Sequence, residues 1–211
     1  MATDFLFDGP EDARITILLA HGAGAPMDSN AMIATAKALA EVGFRVARFE
    51  FGYMAARRTG ERRPPPKAET VMPEYIAAVE DLGPTNGPLI IGGKSMGGRV
   101  ASMVADPLFD ARRIAGLLCL GYPFHPPGRP TQLRTKHLVG LKTPALIVQG
   151  TRDEFGVPDE VKSYGLSTAI TVHWVEDGDH DLKPRKSVTG ISAAEALRQI
   201  AARVQDWAQT L

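Results

Sequence analysis

Short runs of consecutive apolar residues recur along the chain and are separated by more polar segments. The main runs are Ile15–Ala20, Phe44–Phe49, Leu89–Gly92, Ile114–Leu120, Pro144–Gln149 and Ala169–Val175. Uninterrupted apolar runs of this length are typical of strands that are buried on both faces of a parallel sheet. The pattern therefore predicts six strands, with Thr3–Phe7 as a possible reduced opening strand.

Four of the intervening segments are predicted to be helices, most clearly where apolar residues recur every three to four positions. They run from Ser29 or Asn30 to Val42, from Thr70 to Leu82, from Met96 to Ala105 and from Ser192 to Gln209. Gly43 and Gly83 follow the first two, as glycine often does at a helix end. The alternation predicts an α/β fold: a three-layer sandwich around a mostly parallel sheet of six or seven strands.

Composition narrows the class of protein. With 211 residues and 44% apolar content, one domain covering residues 1–211 is expected. The 24 basic and 24 acidic residues balance, which argues against a nucleic-acid or membrane-surface partner. No apolar stretch approaches the ~20 residues of a membrane span. Residues 1–5 lack a secretory signal pattern, so a cytoplasmic location is expected, with either a monomer or a homodimer.

No cofactor or metal is expected. Cys119 is the only cysteine and lies in the apolar run Leu117–Leu120, where it is expected to be core packing. No group of cysteines and histidines has the spacing of a metal site. Any chemistry must then come from the side chains and the backbone.

The segment from Gly93 to Gly97 is the strongest chemical signal in the chain. It has the pattern Gly-x-Ser-x-Gly, follows a predicted strand and precedes a predicted helix. That combination is the nucleophile elbow of serine hydrolases, in which a tight turn projects the serine hydroxyl, here of Ser95, above the sheet. The alternative is a glycine-rich turn whose serine only caps the helix.

In hydrolases with this elbow, the acid and then the histidine follow the serine along the chain. Asp153 comes in the turn directly after the run Pro144–Gln149 and is the candidate acid. Glu154 and Asp159 compete with it, and Asp153 could instead cap a helix beginning near Pro158.

His180 is the candidate base because it lies in the loop after the last predicted strand. His125 and His137 precede Asp153 and so break the order, and His173 lies inside a strand. His21 belongs to the loop after the first strong strand, where it is expected to stabilise the loop geometry and not to transfer protons. The alternative for His180 is a surface histidine in an acidic turn. If His180 is the base, hydrolysis should rise from acidic toward neutral pH, because only neutral imidazole accepts a proton.

An oxyanion site can also be assigned. The loop from His21 to Pro26 follows the first strong strand, where a loop rich in His and Gly supplies one N–H group to the oxyanion hole. We expect the backbone N–H groups of Met96 and Ala23 to bind the oxyanion, with Gly24 shaping the loop or adding its own N–H.

With these four motifs in order, the chain resembles the α/β-hydrolase superfamily, and in particular its small, lidless, dienelactone-hydrolase-like members. The resemblance extends from Arg14 to Trp207 and implies a Ser95–His180–Asp153 triad. Dienelactone hydrolases use a cysteine nucleophile, so Ser95 implies serine esterase chemistry instead. Residues before Arg14 leave room only for reduced N-terminal strands, and the 23 residues Gly121–Thr143 are too few for a cap domain.

Two segments are candidates for substrate contact. Tyr122 and Phe124 would line one wall of the site, although surface packing explains them nearly as well. Arg57 and Arg58 belong to a basic, proline-rich segment, Tyr53–Lys67, that follows a strand. That segment is either a solvated loop or an anion-attracting rim. Lys94 is expected to be a solvated lysine, with contact to an acidic substrate as the alternative.

The leading hypothesis is a serine hydrolase that cleaves small carboxylic esters or thioesters through an acyl-enzyme on Ser95. A peptidase or amidase would use the same residues. The alternative from another class is a non-catalytic, hydrolase-like binding or scaffold protein, because this fold is reused for other purposes.

Overall fold

The computed structural model describes residues 2–61 and 63–211. In that part of the chain, seven strands form one sheet. They are β1 (Phe5–Asp8), β2 (Thr16–Ala20), β3 (Arg45–Phe49), β4 (Leu89–Lys94), β5 (Gly116–Leu120), β6 (Ala145–Gly150) and β7 (Ile170–Val175). Their order in the sheet is β1-β3-β2-β4-β5-β6-β7. Only β1 is antiparallel to its neighbour.

The helices in the same described residues occupy the segments between the strands. They are α1 (Asn30–Glu41), α2 (Gly52–Ala55), α3 (Met72–Leu82), α4 (Met96–Asp110), α5 (Pro158–Val161), α6 (Lys186–Thr189) and α7 (Ala193–Ala208). Short 3₁₀ helices at Ala56–Thr59 and Ala68–Val71 complete the connections. Within the described chain, no helix has both the length and the apolar character needed to cross a membrane.

Two apolar layers cover the sheet. Residues of α1 and α7 cover one face, where Leu39 and Trp207 belong to the same apolar cluster as Ile90. Residues of α3 and α4 cover the other face, where Tyr75 and Val100 belong to the same apolar cluster as Ile91. Because β2, β5 and β6 are buried along their whole length, the apolar runs that predicted them reflect packing on both faces.

The predicted fold class is confirmed: a three-layer α/β sandwich with a mostly parallel sheet. Ser29 caps α1 as predicted, accepting a hydrogen bond from Met32 N–H, and Gly43 follows that helix with φ +94°. The opening strand is Phe5–Asp8, which begins two residues later than the predicted Thr3–Phe7 and ends one residue later. Helix α4 continues to Asp110, because Pro107 is accommodated near its end rather than stopping it at Ala105.

Candidate active site

Ser95 lies at a sharp turn between β4 and α4. Its backbone has φ 51° and ψ −114°, a conformation that a residue with a side chain rarely adopts. The turn is held by the Ser95 N–H group, which donates to Leu120 O at 3.0 Å, and by Arg99 N–H, which donates to Ser95 O. The turn therefore has the strained geometry that a nucleophile elbow requires.

The glycines beside Ser95 allow this turn to form. A Cβ at Gly97 would lie 2.5 Å from Ala20 O and 2.6 Å from His21 O. A Cβ at Gly93 would lie 2.7 Å from Gly97 C. The start of α4 thus sits directly on β2 and β4, which explains why neither position can have a side chain.

Ser95, His180 and Asp153 meet above the sheet. The distance from Ser95 Oγ to His180 Nε2 is 2.9 Å, and that from His180 Nδ1 to Asp153 Oδ2 is also 2.9 Å. An ionised carboxylate can only accept hydrogen bonds, so Nδ1 holds the proton and Nε2 of the neutral ring accepts from the serine hydroxyl. This polarity is the one in which a histidine can take the proton of a serine.

Asp153 is fully buried and well supplied with donors. Gln149 Nε2 donates to Asp153 Oδ2 at 2.8 Å, and Phe155 N–H donates to Oδ1 at 3.0 Å. Gln149 also accepts from Tyr122 N–H at 2.7 Å. The hydrogen bonds of Asp153 are therefore directed at His180 and at its own turn, and none of them caps α5.

The loop that presents His180 is braced at both ends. Asp179 Oδ1 accepts from the N–H groups of Asp181 and Lys183, at 2.9 and 3.0 Å. Asp177 accepts hydrogen bonds from Arg185 and Arg152, and those from Arg185 chiefly hold the pKa of its carboxyl well below the usual range. The acidic turn around His180 is thus an ordered structure.

The ring of His180 is also held from one side by an aromatic ring. The ring centroids of Phe155 and His180 are 4.2 Å apart, with an angle of 31° between the planes. The stacking limits rotation of the imidazole about its side-chain bonds, so Phe155 helps to keep Nε2 directed at Ser95.

Lys94 differs from the expectation that it is solvated. Its side chain is only 17% exposed. Its Nζ donates to the main-chain carbonyl of His180 and lies 3.4 Å from Asp181 Oδ1. Burial lowers the pKa of Lys94, and the nearby carboxylates oppose that shift, Asp181 most strongly. Side chains alternate along β4, so Lys94 lies on the opposite face from Ile91 and Gly93, under the layer of α1 and α7. The sequence motif alone does not show that this face is covered.

The predicted oxyanion residues belong to two segments, the start of α4 and the loop after β2. Met96 is the first residue of α4, where backbone N–H groups have no acceptor within the helix. The loop holding Ala23 is fixed by Tyr53, whose hydroxyl donates to Ala23 O at 3.0 Å. A Cβ at Gly22 would lie 3.8 Å from Ser95 Cβ, so this loop runs beside the serine. A Cβ added at Gly24 would meet no atom of another part of the chain within 4 Å.

His21 supports the same loop. Its Nδ1 donates to Gly22 O at 2.6 Å, and its Nε2 accepts from Phe51 N–H at 3.2 Å. These two bonds need the neutral ring, and burial lowers the pKa of His21 accordingly. His21 therefore shapes the loop, as its position in the sequence indicated.

A family model of the alpha/beta hydrolase domain matches residues 13–209 of this chain. The chain belongs to the α/β-hydrolase family. The α/β hydrolase described here carries its Gly-x-Ser-x-Gly motif at the strand-to-helix turn that this fold uses for a nucleophile.

Solved structures of other hydrolases have the same fold. An alpha-beta serine hydrolase homologue from Coxiella burnetii is 18% identical, with a TM-score of 0.70 over 95% of this chain and 90% of that one. A serine hydrolase without a lid from Xanthomonas campestris is 21% identical, with a TM-score of 0.70 over 99% and 88%. Dienelactone hydrolase from Anabaena variabilis is 17% identical, with a TM-score of 0.72 over 97% and 90%.

Residues 2–61 and 63–211 of this α/β hydrolase contain no cap domain, as predicted. The structure describes every residue between β5 and β6, and the connection consists of turns and irregular backbone alone. The expected reduction of the N-terminal strands is also observed, since one short antiparallel strand, β1, precedes the parallel part of the sheet. The edge of the sheet above Ser95 is therefore not covered by a helical lid.

The prediction that the side chains of Tyr122 and Phe124 line one wall of the site is wrong. Both are 0% exposed, with ring centroids 4.9 Å apart, and the Tyr122 hydroxyl donates to Arg134 O. The loop after β5 turns back over the sheet, so these rings fill the core instead of facing a ligand. The main chain of Tyr122 does contact a residue that supports the site, because its N–H group donates to Gln149.

The arginine segment is largely committed to internal contacts. Arg58 donates to Glu50 at 2.7 and 2.8 Å and to Asp28 at 3.0 Å, so it is not a free anion site. Arg57 packs over the ring of Tyr53 and donates to Arg63 O. Arg62, which the sequence also assigns to this segment, lies outside the described residues. Ion pairing, which sequence alone does not show, explains the difference for Arg58.

A second serine–histidine contact lies inside the molecule, but its hydrogen bond runs in the wrong direction for catalysis. Ser102 is 2% exposed and lies 2.8 Å from His137 Nε2, but its hydroxyl donates to Arg99 O. His137 Nε2–H must then donate to Ser102, the reverse of what a base requires. Burial lowers the pKa of His137 to about 4, and among the described residues no carboxylate hydrogen-bonds to it.

Sequence analysis missed several residues that support the site. Gln149, Phe155 and Tyr53 each contact a residue of the site directly, as described above. Tyr75 acts below the elbow, where its buried hydroxyl lies 2.7 Å from Gly92 O and accepts from Gly92 N–H. Gln149 could have been found from the sequence, because an amide at the end of a buried apolar run needs polar partners.

Proposed function

We propose that this protein is a serine hydrolase that cleaves small carboxylic esters or thioesters through an acyl-enzyme on Ser95. The observation that carries the proposal is the pair of 2.9 Å contacts that links Ser95 Oγ to His180 and His180 to Asp153. These contacts support the proposal, because acyl transfer requires a nucleophile within hydrogen-bond reach of its base and a base oriented by an acid.

In the first half of the reaction, Ser95 Oγ attacks the carbonyl carbon while His180 Nε2 takes the serine proton. Asp153 holds the imidazole in the reactive tautomer and stabilises the imidazolium that forms. The oxyanion is bound by the N–H groups of Met96 and Ala23, with Gly24 completing the loop. His180 then returns its proton to the leaving alcohol or thiol, which departs and leaves the acyl group on Ser95.

In the second half, a water molecule repeats the sequence. His180 takes a proton from water, the hydroxide adds to the acyl carbon, and the second tetrahedral intermediate uses the same oxyanion site. Collapse of that intermediate releases a carboxylic acid and restores the hydroxyl of Ser95. Atoms balance as one ester or thioester plus water giving one acid plus one alcohol or thiol.

Small substrates are favoured by the open sheet edge and the absence of a cap domain. The solved structures of similar fold include Est1E from Butyrivibrio proteoclasticus with bound ferulic acid and a thermophilic esterase from Thermogutta terrifontis with bound malate. Because both of those proteins are described with a bound carboxylic acid, we would begin the substrate screen with esters whose acid parts differ in charge. Amides belong to the same screen, because the same residues can cleave them.

The test is labelling with a fluorophosphonate probe followed by mass mapping. We expect one adduct, on Ser95, in the wild type and in Ser102→Ala, and no adduct in Ser95→Ala or His180→Ala. Ser102→Ala is the matched control, since it removes a serine that also contacts a histidine. Without probe, wild type and Ser102→Ala should hydrolyse short-chain nitrophenyl esters or acyl thioesters, and Ser95→Ala and His180→Ala should not.

An absence of adduct on folded wild-type protein would contradict the proposal and favour a non-catalytic binding or scaffold protein. Other parts of the proposal need their own measurements: one domain over residues 1–211, a cytoplasmic location, a monomer or homodimer, and no nucleic-acid or membrane partner. The balanced charge and the buried, lone Cys119 support them.

A further inference from the structure

Lys94 occupies an unusual place for a lysine. It ends β4, directly before Ser95, and its register partner is Leu120 of β5. Its side chain enters the space between the sheet and the α1 and α7 layer, beside Met32, Leu120 and Leu197. Burying an ammonium among such residues costs free energy unless the charge is paired and hydrogen-bonded, so a lysine here needs a reason.

The partners of the ammonium lie in the loop that presents His180. Nζ donates to the main-chain carbonyl of His180 itself and forms an ion pair with Asp181 at 3.4 Å. A charge-assisted hydrogen bond of this kind is stronger than one between neutral groups. Through it, the residue adjacent to the nucleophile is tied directly to the residue that would accept the nucleophile's proton.

Gly121 closes the space around this contact. Its φ is +64°, and a Cβ there would lie 2.7 Å from His180 O and 3.1 Å from Lys94 Nζ. The carbonyl of His180 is thus enclosed between Gly121 and Lys94. The contact is therefore a packed feature of the fold and not a chance approach of a flexible side chain.

We propose that Lys94 is a positioning residue for the catalytic base: its ammonium holds the main chain of His180 at a fixed distance from Ser95. This inference rests on the proposed function. Asp153 and Phe155 orient the imidazole ring, whereas Lys94 holds the backbone from which the ring projects. Because the bond from His180 to Ser95 spans two segments that are 85 residues apart in sequence, a direct link between them limits their relative motion.

The test compares Lys94→Met, Lys94→Arg and Lys37→Met. Methionine has nearly the same shape as lysine and suits the apolar surroundings, so Lys94→Met should keep the fold. Arginine keeps the charge and the donors, and an adjoining cavity of about 380 Å³ gives room for its larger head group. Lys37 lines the same cavity from α1 and serves as the matched control.

We expect Lys94→Met to lower kcat by about 10- to 100-fold, the effect of losing one hydrogen bond to a charged group, with KM within about twofold of the wild type. Lys94→Arg should recover part of the lost rate, and Lys37→Met should match the wild type. Amide hydrogen exchange over residues 179–183 should be faster in Lys94→Met than in Lys37→Met, because the loop has lost its tie.

The two proposals fail in different ways. If wild type labels on Ser95 and turns over esters, while Lys94→Met keeps its kcat or shows no faster exchange in the loop, the positioning role is wrong and the hydrolase assignment stands. A loss of rate that Lys37→Met shares would also overturn it. If wild type is inert toward both probe and esters, the hydrolase assignment fails, and with it the role of Lys94 in catalysis.

Discussion

At the scale of single residues, the site depends on buried polar atoms that are fully paired. The side-chain carbonyl of Gln149 accepts a hydrogen bond from Tyr122 N–H, and its amide nitrogen donates to Asp153 and to Tyr122 O. A buried group that loses its partner costs more than a hydrogen bond contributes, because it has also lost its hydration. One uncharged side chain therefore stabilises the core and orients the acid.

Gln149→Leu should affect both stability and rate. It leaves Tyr122 N–H without its acceptor and Asp153 Oδ2 with His180 as its remaining partner. We therefore expect about 1–3 kcal/mol less free energy of unfolding and a kcat roughly 5- to 10-fold lower. Urea unfolding and steady-state kinetics measure the two effects. Ile147→Val on the same strand is the control: it should cost about 0.5–1.5 kcal/mol and leave kcat unchanged. Full activity in Gln149→Leu would show that Asp153 does not need this donor.

At the scale of elements, the position of α4 against β2 and β4 makes the elbow possible. Glycine within a helix is normally unfavourable, and replacing it by alanine is expected to stabilise a helix by about 0.5–1 kcal/mol. At Gly97 the close approach of Ala20 O and His21 O outweighs that gain. Backbone contact between elements, and not helix propensity, determines the residue at this position.

Gly97→Ala should therefore destabilise the protein even though alanine is the better helix former. We expect a loss of about 1–3 kcal/mol in unfolding free energy, the range of an overpacked core site. Labelling of Ser95 should also slow, because α4 must move away from the oxyanion loop. Gly140→Ala is the control, since a Cβ there meets nothing within 4 Å. Equal stability of the two variants would contradict the close approach.

At the scale of the whole molecule, loops from distant parts of the chain meet at one edge of the sheet. Asp177 links two of these segments by accepting hydrogen bonds from Arg152, which follows β6, and from Arg185, which precedes α6. The hydrogen bonds from Arg185 lower the pKa of Asp177 in the folded protein. Such a carboxylate contributes stability above its unfolded pKa of about 3.9, and that stability is lost as the pH falls through the lower, folded value.

Asp177→Asn should therefore unfold at a lower temperature near pH 7, and the difference from wild type should shrink as the pH is lowered below about 4. Thermal melts between pH 7 and pH 3 test this. Asp110→Asn removes an exposed carboxylate paired with Lys142 and should change the melting temperature by no more than about 2 °C at any pH. A constant difference between Asp177→Asn and wild type across this range would show that the titration of Asp177 does not contribute.

Local pattern was sufficient for the fold and for the candidate chemistry. Apolar runs predicted strands β2 to β7 to within two residues, because burial on both faces leaves a continuous signal. Chain order and position after strands selected Ser95, Asp153 and His180, which the structure brings into contact. The carboxyl ends of parallel strands lie at the same edge of the sheet, so residues that directly follow different strands come close together.

Other features were decided only by tertiary structure. The inward direction of Lys94, the burial of Tyr122 and Phe124, and the pairing of Arg58 with Glu50 and Asp28 each depend on where other segments lie. The sequence by itself determined the strands, the elbow and the order of the candidate catalytic residues. The strands and the elbow depend on residues that are neighbours in the chain, and the order can be read directly from the residue numbers. Side-chain surroundings come from residues far apart in the chain, and only folding brings those residues together.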